Sequence, residues 1–257
     1  MLKAVFFDLD DTIYDHQYSR RRGLRVLRNQ YPALEAVPIE EIEREHEHLL
    51  QVNYLRTLDG TMTVDEARLE RIKALCGMYG VKLEAWEAKR LVDRYHAAYV
   101  ENQRAVPGAV ALLSRLKADG LIIGVITNGP SVEQREKLRL CGVEGLLDII
   151  LISEEVGFRK PDKAIFALAL DTAGAAPDEA VFIGDNWRAD ILGAHACGIG
   201  TVWLNRYGEA CLDPGMTVEM RELEPLGEVL GVIYCAPTYY ARIQEAKIVP
   251  VVPVVLM

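Results

Sequence analysis

Five short, nearly unbroken apolar runs, at 4–7, 121–126, 149–152, 180–183 and 201–204, constrain this chain more than any other feature. Each has the length of a strand and none alternates apolar with polar residues, so each must bury both faces. Helical patterns lie between them: 108–118 with Leu112, Leu113 and Leu116, then 132–140, then 163–172 opening behind Pro161, then 190–197. Strand and helix therefore alternate, which predicts an α/β fold with a doubly wound, Rossmann-like parallel sheet.

The stretch 14–104 breaks that alternation. It carries charged, amphipathic segments around 18–29, 39–55, 64–78 and 83–100 and no strand pattern, so it reads as an inserted helical domain. The chain leaves the α/β domain just after its first strand and returns before Pro107-Gly108, and such a pair of crossings makes a hinge for a cap. The expected division is a core over 1–13 and 105–231, a helical cap over 14–104, and a tail of unassigned role over 232–257. Near the end a strand is expected at 216–218 and a short helix at 223–230. The apolar run 248–256, broken by Pro250 and Pro253, is expected to pack along the α/β domain or a second copy, which leaves a homo-oligomer open.

Composition removes several function classes. With 257 residues, half of them hydrophobic, the chain can bury a sizeable core. A net charge of −9 supplies no basic face to displace counterions from a phosphate backbone, so a nucleic-acid polymer is not an expected partner. No run approaches the roughly 20 apolar residues of a membrane span. The opening Met1-Leu2-Lys3 lacks the regions of a signal peptide, and a cytoplasmic location is expected. The five cysteines, Cys76, Cys141, Cys197, Cys211 and Cys235, are scattered without a C-x-x-C pair and read as buried free thiols.

Polar residues gather where the apolar runs end. Asp8-Leu9-Asp10-Asp11-Thr12 follows the first, Thr127-Asn128-Gly129 the second, Lys160-Pro161 lies in the loop after the third, and Gly184-Asp185 with Asp190 follows the fourth. In an open parallel sheet these strand ends share one edge, the edge where ligands bind. The ordered set D-x-D-x-T, T-N-G, K-P and G-D-x-x-x-x-D resembles that of the haloacid dehalogenase superfamily hydrolases over roughly residues 3–206, and the helical insert lies where that superfamily carries its C1-type cap. The phrases Ile126-Thr127-Asn128-Gly129, Ile152-Ser153-Glu154-Glu155-Val156-Gly157 and Thr201-Val202-Trp203-Leu204-Asn205 are similar to a branch containing pyrimidine 5′-nucleotidases and N-acylneuraminate-9-phosphatases.

The resemblance implies a Mg²⁺-dependent phosphatase acting on a small phosphomonoester, a nucleoside monophosphate or a sugar phosphate. The residue types suit phosphoryl transfer, which needs an in-line nucleophile, neutralised equatorial oxygens and a proton for the leaving group. Asp8 is the expected nucleophile and Asp10 the general acid and base. Thr127, Lys160 and the backbone N–H at Asn128 are the expected phosphate ligands. Asp8, Asp185 and Asp190 would repel one another unless a hard cation joined them, and Asp190 reaches that cation through water or holds Lys160. The resemblance adds the main-chain carbonyl of Asp10 as a ligand.

Other residues take blander readings. Asp11 is a turn residue and Thr12 buttresses the loop through its hydroxyl. His46-Glu47-His48 puts its imidazoles on different faces of a helix, so a solvated helix is expected rather than a metal site. Arg20-Arg21-Arg22 reads as a solvated basic face. Three rival functions stand beside the phosphatase. A 2-haloacid dehalogenase needs no leaving-group acid at Asp10, a β-phosphoglucomutase-like phosphomutase differs in its products, and a non-catalytic binding protein would have lost Asp8, Asp10 or Lys160.

Overall fold

The computed structural model of the chain describes residues 1–58, 60–213 and 215–246. Its elements run β1 (Ala4–Phe7), α1 (His16–Arg28), α2 (Pro32–Glu35), α3 (Ile39–Leu58), α4 (Val64–Met78), α5 (Ala85–Glu101), α6 (Ala109–Ala118), β2 (Ile122–Thr127), α7 (Ser131–Leu140), β3 (Ile149–Ile152), α8 (Ser153–Val156), α9 (Lys163–Ala173), β4 (Ala180–Gly184), α10 (Gly193–His195), β5 (Gly200–Leu204), β6 (Val218–Met220) and α11 (Leu226–Ala246). They divide into two compact units, one of Met1–Asp15 with the chain from Arg104 onward, the other of His16–Gln103.

The first unit is the doubly wound α/β domain. Its six strands pair in parallel in the order β3-β2-β1-β4-β5-β6, so the sheet grows to one side of β1 and then to the other. That reversal opens a crevice at the carboxyl end of β1, between its neighbours. Every residue of β1, β4 and β5 is buried, which is the physical reason their sequences lack polar alternation. One core cluster joins Phe6, Ile126, Phe166 and Phe182, with the rings of Phe166 and Phe182 edge to face at 5.4 Å.

Two expectations near the end of the chain are revised. The strand expected at 216–218 begins only at Val218, and the helix marked at 223–230 continues through Pro237 to Ala246 as α11, which packs on β4, β5 and α6. The apolar run 248–256 lies outside the described residues. Cys235 is exposed, unlike the buried Cys76 and Cys141, and all five thiols are free. Among the described residues no helix is long and apolar enough to cross a membrane.

The second unit packs α1 against α5 and α3 against α4 around Leu24, Leu27, Ile42, Ile72, Leu75, Cys76 and Leu91. Its charged stretches are less solvated than their sequence suggests. Arg20 is buried and bonds Glu47, while Arg21 makes a two-pronged hydrogen bond to Glu43, both contacts at 2.5 Å. His46 is also buried, 5.6 Å from the ring of Tyr95, and burial together with the charges of Arg71 and Arg20 pushes its pKa well below 6.5. His48 remains exposed on another face.

At the chain crossings a carboxylate of the α/β unit acts as an anchor. Wholly buried Asp15 accepts hydrogen bonds from Arg104 Nε at 2.9 Å, Arg104 Nη2 at 2.7 Å and Arg206 Nη1 at 2.9 Å. The outgoing segment, the returning segment and the loop after β5 are thus fixed to one charge.

Candidate active site

Asp8 is the first residue past β1, its backbone N–H donating to the Ile183 carbonyl at 2.9 Å and its side chain almost fully enclosed. Lys160 arrives from the loop after α8, which ends at Gly157 in the left-handed conformation, φ 77°. Asn128 holds that loop reciprocally, its Nδ2 donating to the Lys160 carbonyl and its Oδ1 accepting from the Lys160 N–H, both at 2.9 Å. The T-N-G and K-P segments are therefore one mechanical unit.

Asp185 follows β4, and Asp190 sits in a π-type turn over Trp187–Leu192, an irregularity that often marks functional sites. Asn186 caps the turn by accepting from the N–H groups of Arg188 at 3.1 Å and Ala189 at 2.9 Å, and Asp190 Oδ2 accepts from the Asn186 N–H at 3.0 Å. A Cβ on Gly184 would overlap the Asp190 carboxylate, which is too well held to step aside. Gly184→Ala is expected to cost about 1–3 kcal/mol as overpacking, read as a lower urea midpoint at unchanged slope. A wild-type midpoint would show that Asp190 can yield.

The electrostatics are those of crowded acids around one cation. Lys160 Nζ bonds Asp8 Oδ1 and lies 2.7 Å from Asp190 Oδ1. Carboxylate oxygens of Asp8, Asp185 and Asp190 all lie within 4.8 Å of one another. Burial, with Asp190 and Asp10 adding to it against the pull of Lys160, lifts Asp8 from 3.8 to about 7. Burial and the charges of Asp8 and Asp190 likewise push Asp185 well above the usual carboxylate range. Burial alone would lower the pKa of Lys160, but Asp190 and Asp8 outweigh it and hold the ammonium charged. One ammonium against three clustered carboxylates, buried Asp8 and Asp190 and half-buried Asp185, counted among the described residues, leaves an excess of acids whose ionised forms a hard divalent cation with oxygen ligands would balance.

Asp10 is gripped from α7. Lys137 Nζ donates to both its oxygens at 2.8 Å, and Gln134 Nε2 donates to Oδ2 at 3.1 Å. The same Gln134 amide donates to Thr127 Oγ1 at 2.5 Å and to the Asn128 carbonyl at 3.2 Å. Neither Gln134 nor Lys137 belongs to the four motifs. The available signal was their spacing of three on one helix directly behind T-N-G, which places both on one face.

Asp11 takes the left-handed conformation of a turn, φ 58°, and Arg206 Nη1 is 4.0 Å from its Oδ1. Thr12 departs from expectation, because its hydroxyl is buried and makes no hydrogen bond among the described residues. The loop is held instead by its backbone, with the N–H groups of Ile13 and Tyr14 both donating to the Leu9 carbonyl at 2.9 and 2.8 Å.

This arrangement invites comparison with known proteins, and the family described as haloacid dehalogenase-like hydrolase matches residues 2–198. The chain belongs to the haloacid dehalogenase-like hydrolases. Among relatives of this hydrolase, the glyceraldehyde 3-phosphate phosphatase of Methanothermobacter thermautotrophicus is 33% identical over 210 residues, covering 80% of this chain and 86% of its own. The pyrimidine 5′-nucleotidase YjjG of Escherichia coli is 31% identical over 228 residues, covering 86% and 96%. The crystal structure of the putative HAD-hydrolase YfnB of Bacillus subtilis, bound to magnesium, has a TM-score of 0.66 at 28% identity and covers 90% of this chain and 99% of that one.

Proposed function

We propose that this hydrolase is a Mg²⁺-dependent phosphatase that cleaves a small phosphomonoester, a sugar phosphate or a nucleoside monophosphate, through an aspartyl phosphate on Asp8. The cluster of buried Asp8, Lys160 and Asp190 with half-buried Asp185 carries this reading, because its excess of acids over cations suits a dication and its position suits a phosphoryl group. The phosphatase and nucleotidase names of relatives support the substrate class.

Asp8 and Asp185, with Asp190 directly or through water and the main-chain carbonyl of Asp10, would hold Mg²⁺. Bound there, the ion would neutralise charge on the oxygens of the phosphoryl group in transfer. Asp8 attacks phosphorus in line, forming an Oδ–P bond as the ester oxygen departs. Asp10 gives that oxygen a proton, then takes one from the water that attacks phosphorus and returns Asp8 free with inorganic phosphate. Lys160 supplies a point charge to the equatorial oxygens, and the Thr127 hydroxyl and Asn128 N–H donate to them. The helical unit His16–Gln103 corresponds to the insert expected to act as a cap, an element that would favour a compact substrate.

The test is phosphate release from p-nitrophenyl phosphate and from a panel of sugar phosphates and nucleotides. Release should stop in EDTA and return with excess Mg²⁺. No release from any compound overturns the reading, and exchange between two sugar phosphates without free phosphate identifies a mutase instead.

A further inference from the structure

Lys137 and Gln134 sit one helical turn apart on α7, behind the second motif, and both are largely enclosed, Gln134 at 1% and the Lys137 side chain at 12% exposure. The three N–H groups of the Lys137 ammonium face three acceptors: Asp10 Oδ1 and Oδ2, each at 2.8 Å, and Gln134 Oε1 at 2.7 Å. The ammonium also stands 5.4 Å from the centroid of the Tyr14 ring. Nothing in phosphate binding calls for a second enclosed lysine here, and such a charge persists only against a matched counter-charge.

We propose that Lys137, seated by Gln134, is a positioning residue that fixes the Asp10 carboxylate where it can deliver and recover the proton of the reaction. This rests on the reading of Asp10 as the general acid and base. A lysine centred on both carboxylate oxygens fixes the torsion of a short side chain, and general acid catalysis falls steeply when the donor is misplaced.

Gln134 connects that grip to the phosphate ligands. Its amide has two N–H groups for three acceptors, Asp10 Oδ2, Thr127 Oγ1 and the Asn128 carbonyl. If the contact to Asp10 Oδ2 lengthens during proton transfer, both Gln134 N–H groups remain matched to Thr127 and Asn128, so Gln134 keeps no orphaned donor while Lys137 retains its hold on the carboxylate. Because Thr127 Oγ1 accepts from Gln134, its own proton is directed elsewhere, available to a phosphate oxygen. Gly129 makes room for this amide: its φ is +143°, and an added Cβ would lie 3.2 Å from Gln134 Cδ.

The test uses the full-length protein with saturating Mg²⁺ and separates leaving groups. For both kinds of ester kcat/KM reports the steps up to loss of the leaving group. An alkoxide needs a proton to depart and p-nitrophenolate does not. Lys137→Met should lower kcat/KM for an alkyl phosphate by about 10²-fold, the worth of a positioned general acid, while kcat/KM for p-nitrophenyl phosphate changes little. Its kcat for the aryl ester should fall as well, because hydrolysis of the aspartyl phosphate still needs Asp10 as base. Lys137→Arg, which keeps charge and donors, should recover most of the alkyl phosphate rate. Lys137→Gln carries the same expectation as Lys137→Met should the latter not fold. Equal losses of kcat/KM on both esters would reduce Lys137 to a packing role, and no loss of kcat/KM or kcat on either would overturn the proposal outright. A wild type that releases phosphate from neither ester rejects the phosphatase reading itself, and this role with it.

Discussion

Asp8→Asn should abolish phosphate release, lowering kcat by at least about 10⁴-fold, the scale on which nucleophile deletions act, while the protein stays folded. The amide keeps the shape of the carboxylate but cannot form the acyl phosphate. Stability should move the opposite way from activity. The folded-state pKa of Asp8, about 7, lies above its ordinary 3.8, so between those values the native state holds a proton that the unfolded chain has lost. Stability therefore falls as pH rises across that window and levels off above about pH 7. Asparagine removes this penalty. In EDTA the variant should melt above the wild type at pH 8, with the gap closing toward pH 4. Thermal melts at both pH values decide the matter, and a variant that melts below the wild type by more at pH 8 than at pH 4 would mean that Lys160 dominates the balance. Mg²⁺ should narrow the difference, because it stabilises the wild-type cluster more than one lacking the Asp8 charge.

The parallel sheet was legible because burial on both faces forces apolar runs, and the run at 121–126 shifts only to Ile122–Thr127. The site's outline followed from topology, since Asp8, Thr127 and Asp185 each stand at or just past the end of a parallel strand, and such ends share an edge. What stayed hidden depends on contacts between residues far apart in sequence. Arg20 and His46 look solvated because charged helices usually are, and the partner that permits burial of Arg20 is Glu47, 27 residues on. Lys137 meets Asp10 across 127 residues, and a lone lysine on a helix carries no signature of such a meeting. The full extent of α11 was obscured by Pro237, a residue that ordinarily ends helices.

Lys160→Met should reduce phosphate release by on the order of 10³-fold through loss of the charge on the equatorial oxygens, and it should also destabilise the fold. The side chain is 2% exposed and stands between Asp8 and Asp190, so its removal leaves two enclosed carboxylates facing each other. Breaking a buried pair from one side costs about 3–5 kcal/mol. The loss depends on pH in a direction that Asp8 sets. Near pH 4 the buried Asp8 is protonated and needs no counter-charge; without the pull of Lys160 its pKa rises further, so as pH climbs past about 7 the variant goes on losing stability where the wild type levels off. Urea denaturation in EDTA should thus show a small deficit at low pH that widens as pH rises. Saturating Mg²⁺ should recover part of that deficit without restoring turnover, since the cation can neutralise the carboxylates but does not replace the donor on the far oxygens of the phosphate. A variant as stable as the wild type at pH 8 in EDTA would show that the acids are neutralised by protons rather than by Lys160, and would remove the charge excess on which the magnesium site is argued.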